Sequence, residues 1–291
     1  MSHRRAVALM VLVTLLWSIA GVVTRQLDAA RSFEVTFWRS LFNALALLVL
    51  LLPLRGAALF RDILAGNRVI WFSGLCWCVM YTAFMVALTL TSVANVLVAM
   101  ATGPLLTALA ARLFLGHRLP AHGWAAIGVA GIGIAWMFGA EASRGASLLG
   151  SLVALGVPLA SSANFTLLQQ RAGSAREGGP AQDMLPAVLL GAALSAVLTL
   201  PLAWPLQASG HDISLLALLG TFQLAIPCLL VVRLARELPA PEIALLALLE
   251  VIFGVLLAWL GAGEVPADST LAGGALVLGA LAANHLAGRR A

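Results

Sequence analysis

The stretch Asn95-Val-Leu-Val-Ala-Met-Ala-Thr-Gly-Pro-Leu-Leu-Thr-Ala-Leu-Ala-Ala-Arg-Leu-Phe-Leu-Gly-His117 lies without gaps over Glu242 to Glu264. Leu109, Ala111, Leu113 and Gly116 fall on Leu256, Ala258, Leu260 and Gly263. Upstream, Leu16-Trp-Ser-Ile-Ala-Gly21 lies over Leu159-Ala-Ser-Ser-Ala-Asn164, with Ser18 on Ser161. Apolar helices match one another easily, so either alignment alone says little. Two in the same order, each followed by another short apolar span, mark an internal repeat. Its boundary falls near Glu141 to Ala146.

What surrounds these segments is equally apolar. The 291 residues are 62% hydrophobic and 10% charged, whereas a soluble domain carries about 25% charged residues. The longest polar interval, Gln169 to Asp183, is too short to enclose a separate soluble core. A bilayer needs about 20 apolar residues per helix. The candidate spans are Ala6–Thr24, Val35–Leu52, Val69–Leu90, Val93–Leu115, His122–Phe138, Leu148–Gln169, Met184–Pro205, Ile213–Leu234, Pro241–Ala262 and Ser269–Leu286. The expected fold class is thus an all-α polytopic membrane protein of about ten helices, the third and fourth divided only by Thr89, Thr91 and Ser92. Five spans on each side of the repeat boundary, in units 6–140 and 146–288, force the second unit to enter from the opposite face. Such inverted repeats are typical of secondary transporters, with the solute site near the midplane between halves.

All seventeen basic residues are Arg, and the formal charge is +5. With a cytoplasmic amino terminus, thirteen Arg fall in inner segments, and only Arg25, Arg31 and Arg144 in outer ones. That asymmetry is the positive-inside rule for an even number of spans and two cytoplasmic termini. The expected location is a bacterial inner membrane. The basic excess therefore reports topology and implies no nucleic-acid partner. Ser2-His3-Arg4-Arg5 before an apolar run, with Ser18-Ile19-Ala20, also loosely fits a signal peptide, but cleavage would spoil the repeat. Cys76, Cys78 and Cys228 all fall within spans and imply no disulfide or metal. No cofactor is implied either.

Trp17 in the first span, Phe37-Trp38-Arg39 in the second, Gly103-Pro104 through Gly116, and Leu249-Glu250 through Gly263-Glu264 resemble the two EamA repeats of the drug/metabolite transporter superfamily. The resemblance runs from about Val7 to Leu286, and the Trp17 and Trp38 regions look most like its aromatic amino-acid exporters. It implies a ten-helix fold whose cavity is lined by helices one to four and six to nine, with the fifth and tenth peripheral. Two departures stand out. Gly116-His117 replaces a Gly-Glu pair, and Glu250-Val251 replaces Glu-Pro, which predicts a ninth helix straighter than the fourth.

Charge inside a bilayer costs at least about 2.5 kcal/mol, so Glu250 and Arg39 are the first candidates for substrate binding. Glu250 sits near the middle of its span; Arg39 lies about one turn inside the outer end of its own, shallow enough to snorkel. A zwitterionic amino acid would present its carboxylate to Arg39 and its ammonium to Glu250. The alternatives are that the two pair with each other, or that Glu250 carries a coupling proton. Trp77 and Tyr81, one turn apart, share a face and with Trp17 offer a wall for an apolar side chain; bundle packing competes with that reading. Trp71, Trp124, Trp136, Trp204 and Trp259 near span ends fit an interfacial belt.

Among uncharged polar residues, Asn164 and Gln223 lie deepest and are candidate solute contacts, against an amide's usual bond to a neighbouring helix. Pro104, Pro158 and Pro227 each free a backbone carbonyl within a span and mark cavity-lining or hinge positions. His117 and His122 read as solvated loop residues. Small residues at Ala275, Gly279, Ala283 and Ala287, and at Gly131, Ala135 and Gly139, suit close helix packing or a homodimer contact.

No H-E-x-x-H, G-x-S-x-G or P-loop is present. An enzyme is therefore not expected, and any transport must draw on a gradient. The expected function is a secondary transporter, exporting aromatic or other hydrophobic amino acids, with lipophilic cations as the alternative solute. A channel or an intramembrane enzyme ranks below both. One Arg and no Lys argue against sugar phosphates.

Overall fold

The computed structural model describes residues 3–30, 32–115, 121–143, 148–176, 182–238 and 240–288. Up to residue 143 these form α1 (His3–Thr24), α2 (Ser32–Arg55), the short α3 (Ala58–Leu64), α4 (Arg68–Leu90), α5 (Val93–Met100), α6 (Gly103–Leu115) and α7 (Ala121–Ser143). Beyond it come α8 (Leu148–Arg176), α9 (Leu185–Ala203), α10 (Gly210–Leu218), a π-helical segment over Leu219–Ala225, α11 (Ile226–Leu234), α12 (Ala240–Ala247), α13 (Leu249–Ala262) and α14 (Asp268–Gly288). His117 and residues 144–146 of the repeat boundary lie outside the described residues, as does the side chain of His122.

Seven helical segments among the described residues are long and apolar enough to cross a bilayer, and Gly123–Gly133 and Leu249–Ala262 are shorter apolar helices. The molecule is a multi-pass membrane protein. Hydropathy predicts about ten spans; His122–Phe138, Pro241–Ala262 and Ser269–Leu286 are not among the seven, and Pro241–Ala262 is split at Leu248 into α12 and α13.

Local chemistry explains the interruptions. Thr91 is extended, and the Ser92 side chain caps α5 by accepting from Asn95 N–H at 3.2 Å. The fourth expected span breaks over Ala101–Thr102. Pro104 lacks the N–H that would reach the Met100 carbonyl, so α5 ends there. The ninth span was expected to be straighter, having Val251 where the resemblance would put Pro, yet it too is interrupted, over one residue where the fourth is interrupted over two. There a tight bond from Val251 N–H to the Leu248 carbonyl, 3.0 Å, closes a 3₁₀-type turn. α13 ends on Gly263 at φ +67°, a conformation that favours glycine.

α4 packs along α8 and α9, α2 along α9 and the π segment, α1 along α13 and α11, α6 along α8, and α7 along α14. Small residues permit these approaches. A Cβ on Gly191 of α9 would strike Trp77 Cβ and sit 2.8 Å from the Gly74 carbonyl of α4. On the α7–α14 pair the contact glycine is Gly133, facing the Gly273 carbonyl and Leu276, whereas Gly131 and Gly279 of the expected stripes have open space beside them.

Polar groups tie the helix ends. Arg25 Nε donates to Glu264 Oε2 at 2.7 Å, and its other nitrogens donate to the Leu88 and Thr91 carbonyls at 2.8 and 2.9 Å. Glu264 Oε1 in turn accepts from Val93 N–H at 2.6 Å. One ion pair therefore joins the ends of α1, α4 and α13 to the start of α5. At the opposite end of α1, His3 Nε2 meets Glu242 Oε1 of α12 at 2.8 Å, so α1 and the α12–α13 segment run parallel. Asp212 accepts backbone N–H bonds from Asp28, Ala29, Ala30 and Ser209, and Glu34 accepts from those of Gln207 and Ala208. Those two carboxylates fasten the α1–α2 loop to the α9–α10 loop.

Candidate functional site

One cavity of about 850 Å³, its open side included, lies where the two broken segments meet α1, α4, α8 and the π segment. α4 gives it a face: Trp77, Met80, Tyr81 and Phe84 recur at i, i+3, i+4 and i+7. Trp77 and Tyr81 stack with ring centroids 5.6 Å apart. Met100, Ala101, Gly103 and Pro104 line it from the break between α5 and α6, and Ala247, Leu248 and Glu250 from the break between α12 and α13. α8 presents Val157, Pro158, Ser161 and Phe165. Broken backbone inside a membrane is tolerated only where protein or a water-filled space satisfies it, and both breaks open onto this cavity.

The charged residues are held differently. Arg39 is not a snorkelling side chain: it is 1% exposed, two turns into α2. Its Nη2 and Nε both donate to Gln223 Oε1, at 2.8 and 3.2 Å, and its guanidinium lies 5.6 Å from the Phe84 ring centroid. Gln223 is pinned by its other end, Nε2 donating to the Trp17 carbonyl at 3.2 Å. This arrangement depends on the π segment, which approaches α2 so closely that a Cβ on Gly220 would sit 2.6 Å from the Arg39 carbonyl. π-helical turns are often found at functional sites.

Glu250, 6% exposed in the first turn of α13, lines the cavity, and among the described residues it makes no hydrogen bond or ion pair. Arg39 bonds Gln223 instead, so the direct pairing with Glu250 that would make a structural bridge is not formed. An unpaired carboxylate in a mostly apolar chamber is a strong attractor for a cationic group.

Of the residues expected from sequence, Trp17, Arg39, Trp77, Tyr81, Gln223, Glu250, Pro104 and Pro158 come together around this cavity. Two do not. Asn164 does not line it: it is fully buried, its Oδ1 accepting from the Ser73 hydroxyl at 2.6 Å; its depth in the span was legible, its partner was not. Pro227 is buried in α11 just past the π segment and does not line the chamber. Sequence reasoning passed over Met80, Phe84, Met100, Ser161, Phe165 and Cys228. The 77/80/81/84 stripe was the available signal for the first two.

Comparison with known proteins fits this architecture. Residues 4–139 match the model of the EamA-like transporter family. The EamA-like segment contains Trp17, Arg39, the α4 wall and the α5–α6 break, and so half of the cavity. A solved crystal structure of another protein shares the fold, with a TM-score of 0.67 and 20% identity over 99% of both chains. No curated protein gives a significant match.

Proposed function

We propose that this chain is a secondary transporter that moves small organic solutes across a bacterial inner membrane by alternating access, exporting amino acids with aromatic or other hydrophobic side chains. Glu250 carries the reading: a buried, unpartnered carboxylate on the wall of a chamber whose remaining surface is largely aromatic and aliphatic. The solute's ammonium meets Glu250, its side chain lies on Trp77, Met80 and Phe84, and Arg39 supplies the opposite pole. The EamA-like match supports transport as the class.

The architecture we propose is ten crossings in two inverted units, 6–140 and 146–288, with both termini cytoplasmic. Three observations support it. The aligned stretches 95–117 and 242–264 each contain a helix break on the cavity. The contact of α1 with α13 has a counterpart in that of α8 with α6. α7 and α14, the last helix of each unit, pack chiefly on one another. Rocking of one unit against the other would expose the cavity to each side in turn.

A second reading, transport of lipophilic cations, is favoured by the bonds that tie Arg39 to Gln223 and leave Glu250 the more available charge. Counterflow of labelled solute in proteoliposomes tests the proposal. Glu250→Gln is expected to insert and fold normally while lowering flux at least tenfold. Undiminished flux in that variant would remove Glu250 from the transport path.

A further inference from the structure

Two pairs of packed helices contribute walls to the cavity. α1 packs along α13, and the two bring Trp17, Glu250 and Val251 to it; α4 packs along α8, and they bring Trp77, Phe84 and Phe165. Bonds that run from one pair to the other at an end of the bundle therefore hold the chamber shut at that end.

Arg25 and Glu264 make such bonds. Just past α1, Arg25 donates to the Leu88 and Thr91 carbonyls at 2.8 and 2.9 Å, and just past α13, Glu264 accepts from Val93 N–H at 2.6 Å. These are groups that the end of α4 and the start of α5 leave without helical partners, and the helix dipoles there favour a cation and an anion respectively. The 2.7 Å bond from Arg25 Nε to Glu264 Oε2 couples the two grips. The gripped corner in turn rests on α8, where a Cβ on Gly150 would lie 2.9 Å from the Cβ atoms of Leu90 and Thr91. One turn inside, the seam between α1 and α5 is tight as well: a Cβ on Gly21 would lie 2.6 Å from Val93 Cγ1.

At the opposite end, His3–Glu242 joins α1 to α12 and Arg55–Asp183 joins α2 to the segment before α9. In each case the joined elements already pack together, and neither pair spans the chamber. The internal repeat sets His117 on Glu264 and, continued four residues beyond Gly21, Leu168 on Arg25. The mirror-related positions thus carry neither an Arg nor a carboxylate.

We infer that Arg25 and Glu264 are a one-sided gate: the pair holds the chamber closed where α1, α4 and α13 end, and parts in every cycle to open it there. The inference rests on the carrier reading above and adds which side is shut in the resting protein. In the proposed topology that side is the outer one, so the carrier rests open to the cytoplasm, where an exporter loads its solute. Both side chains keep some exposure, 28% and 19%, so water takes them up when they part. The pair can then break reversibly, where one in the dry core could not.

The reactivity of Cys228 on the cavity wall tests this in the full chain, in liposomes, with Cys76→Ser and Cys78→Ser. A membrane-impermeant methanethiosulfonate reagent is added to one face at a time, each face being identified by labelling Asp28→Cys, exposed in the α1–α2 loop, in a Cys-free background. Cys228 is expected to react from the opposite face at least tenfold faster than from the Arg25 face. Glu264→Gln is expected to raise the rate from the Arg25 face at least tenfold and to lower that from the other, a reciprocal change that general loosening would not produce. Asp183→Asn, which breaks a pair outside the chamber, is expected to alter neither rate.

A second measurement needs no loss of the carboxylate. With no other cysteine present, a bis-methanethiosulfonate bridge between Arg25→Cys and Thr91→Cys is expected to abolish phenylalanine counterflow until it is reduced. Counterflow that persists through the bridge, or a Glu264→Gln protein with the parent's rates on both faces, would overturn the gate and leave the carrier reading standing. A Cys228 that reacts from neither face, in parent and variant alike, would overturn both.

Discussion

Gly220→Ala puts one methyl group into the contact that holds Arg39 at the cavity. The new Cβ would lie 2.6 Å from the Arg39 carbonyl oxygen, 2.7 Å from Phe42 Cβ and 2.8 Å from the Asn43 nitrogen. None of these atoms can rotate aside, because each is backbone or rigidly attached to it. Restoring ordinary contact at 3.4 Å requires α2 and the π segment to part by about 0.8 Å. The bond from Arg39 Nη2 to Gln223 Oε1, now 2.8 Å, would stretch to about 3.6 Å, beyond hydrogen-bonding range. Overpacking of this kind costs about 1–3 kcal/mol, and a half-released Arg39 should disturb solute binding as well. Gly131→Ala is the control: it lies in a helix with nothing within 4 Å, where Ala is favoured over Gly by up to about 1 kcal/mol. Denaturant unfolding in detergent, together with counterflow flux, reads both effects. A Gly220→Ala protein as stable and as active as the Gly131→Ala protein would refute the claim that this close approach builds the site.

Asn164→Ala should lower stability by about 1–2 kcal/mol through loss of the bond to Ser73 while leaving the half-saturating solute concentration unchanged; a shift in that concentration would return Asn164 to the binding site. Glu264→Gln strips the charge partner from an Arg25 that is only 28% exposed. It should cost about 1–2 kcal/mol in denaturant unfolding, against less than about 1 kcal/mol for Asp183→Asn at the more open Arg55 pair; equal costs would deny Arg25–Glu264 its role in tying four helix ends. Asp212→Asn halves the acceptor capacity for four backbone N–H groups, so the unfolding free energy should fall by about 2–3 kcal/mol, and a neutral result would mean that the two loops hold without it.

Much of this was legible in the sequence because a bilayer imposes a coarse, one-dimensional grammar. Apolar runs marked the helices, and Glu250 stood out because nothing else sits so badly in lipid. The one-turn spacing of Trp77 and Tyr81 named the wall of the cavity, and Pro104 announced the break between α5 and α6. What escaped was whatever depends on a neighbour. Counting residues from the end of a span made Arg39 look shallow, but it is buried because the π segment comes in over Gly220, and no local pattern announces a π segment. Depth gave Asn164 its prominence, whereas its partner Ser73 lies on α4, some ninety positions away. The break at Leu248 has neither Pro nor Gly to signal it.

Cys228 lies on the cavity wall and is the natural reporter of the central claim, that the chamber is a solute compartment open to water in turn from each side. In a Cys76→Ser, Cys78→Ser background reconstituted in liposomes, a small membrane-impermeant methanethiosulfonate reagent is expected to modify Cys228, and L-phenylalanine to slow that modification at least tenfold. A thiol untouched from both faces of the bilayer, or one modified at the same rate with and without solute, would contradict it.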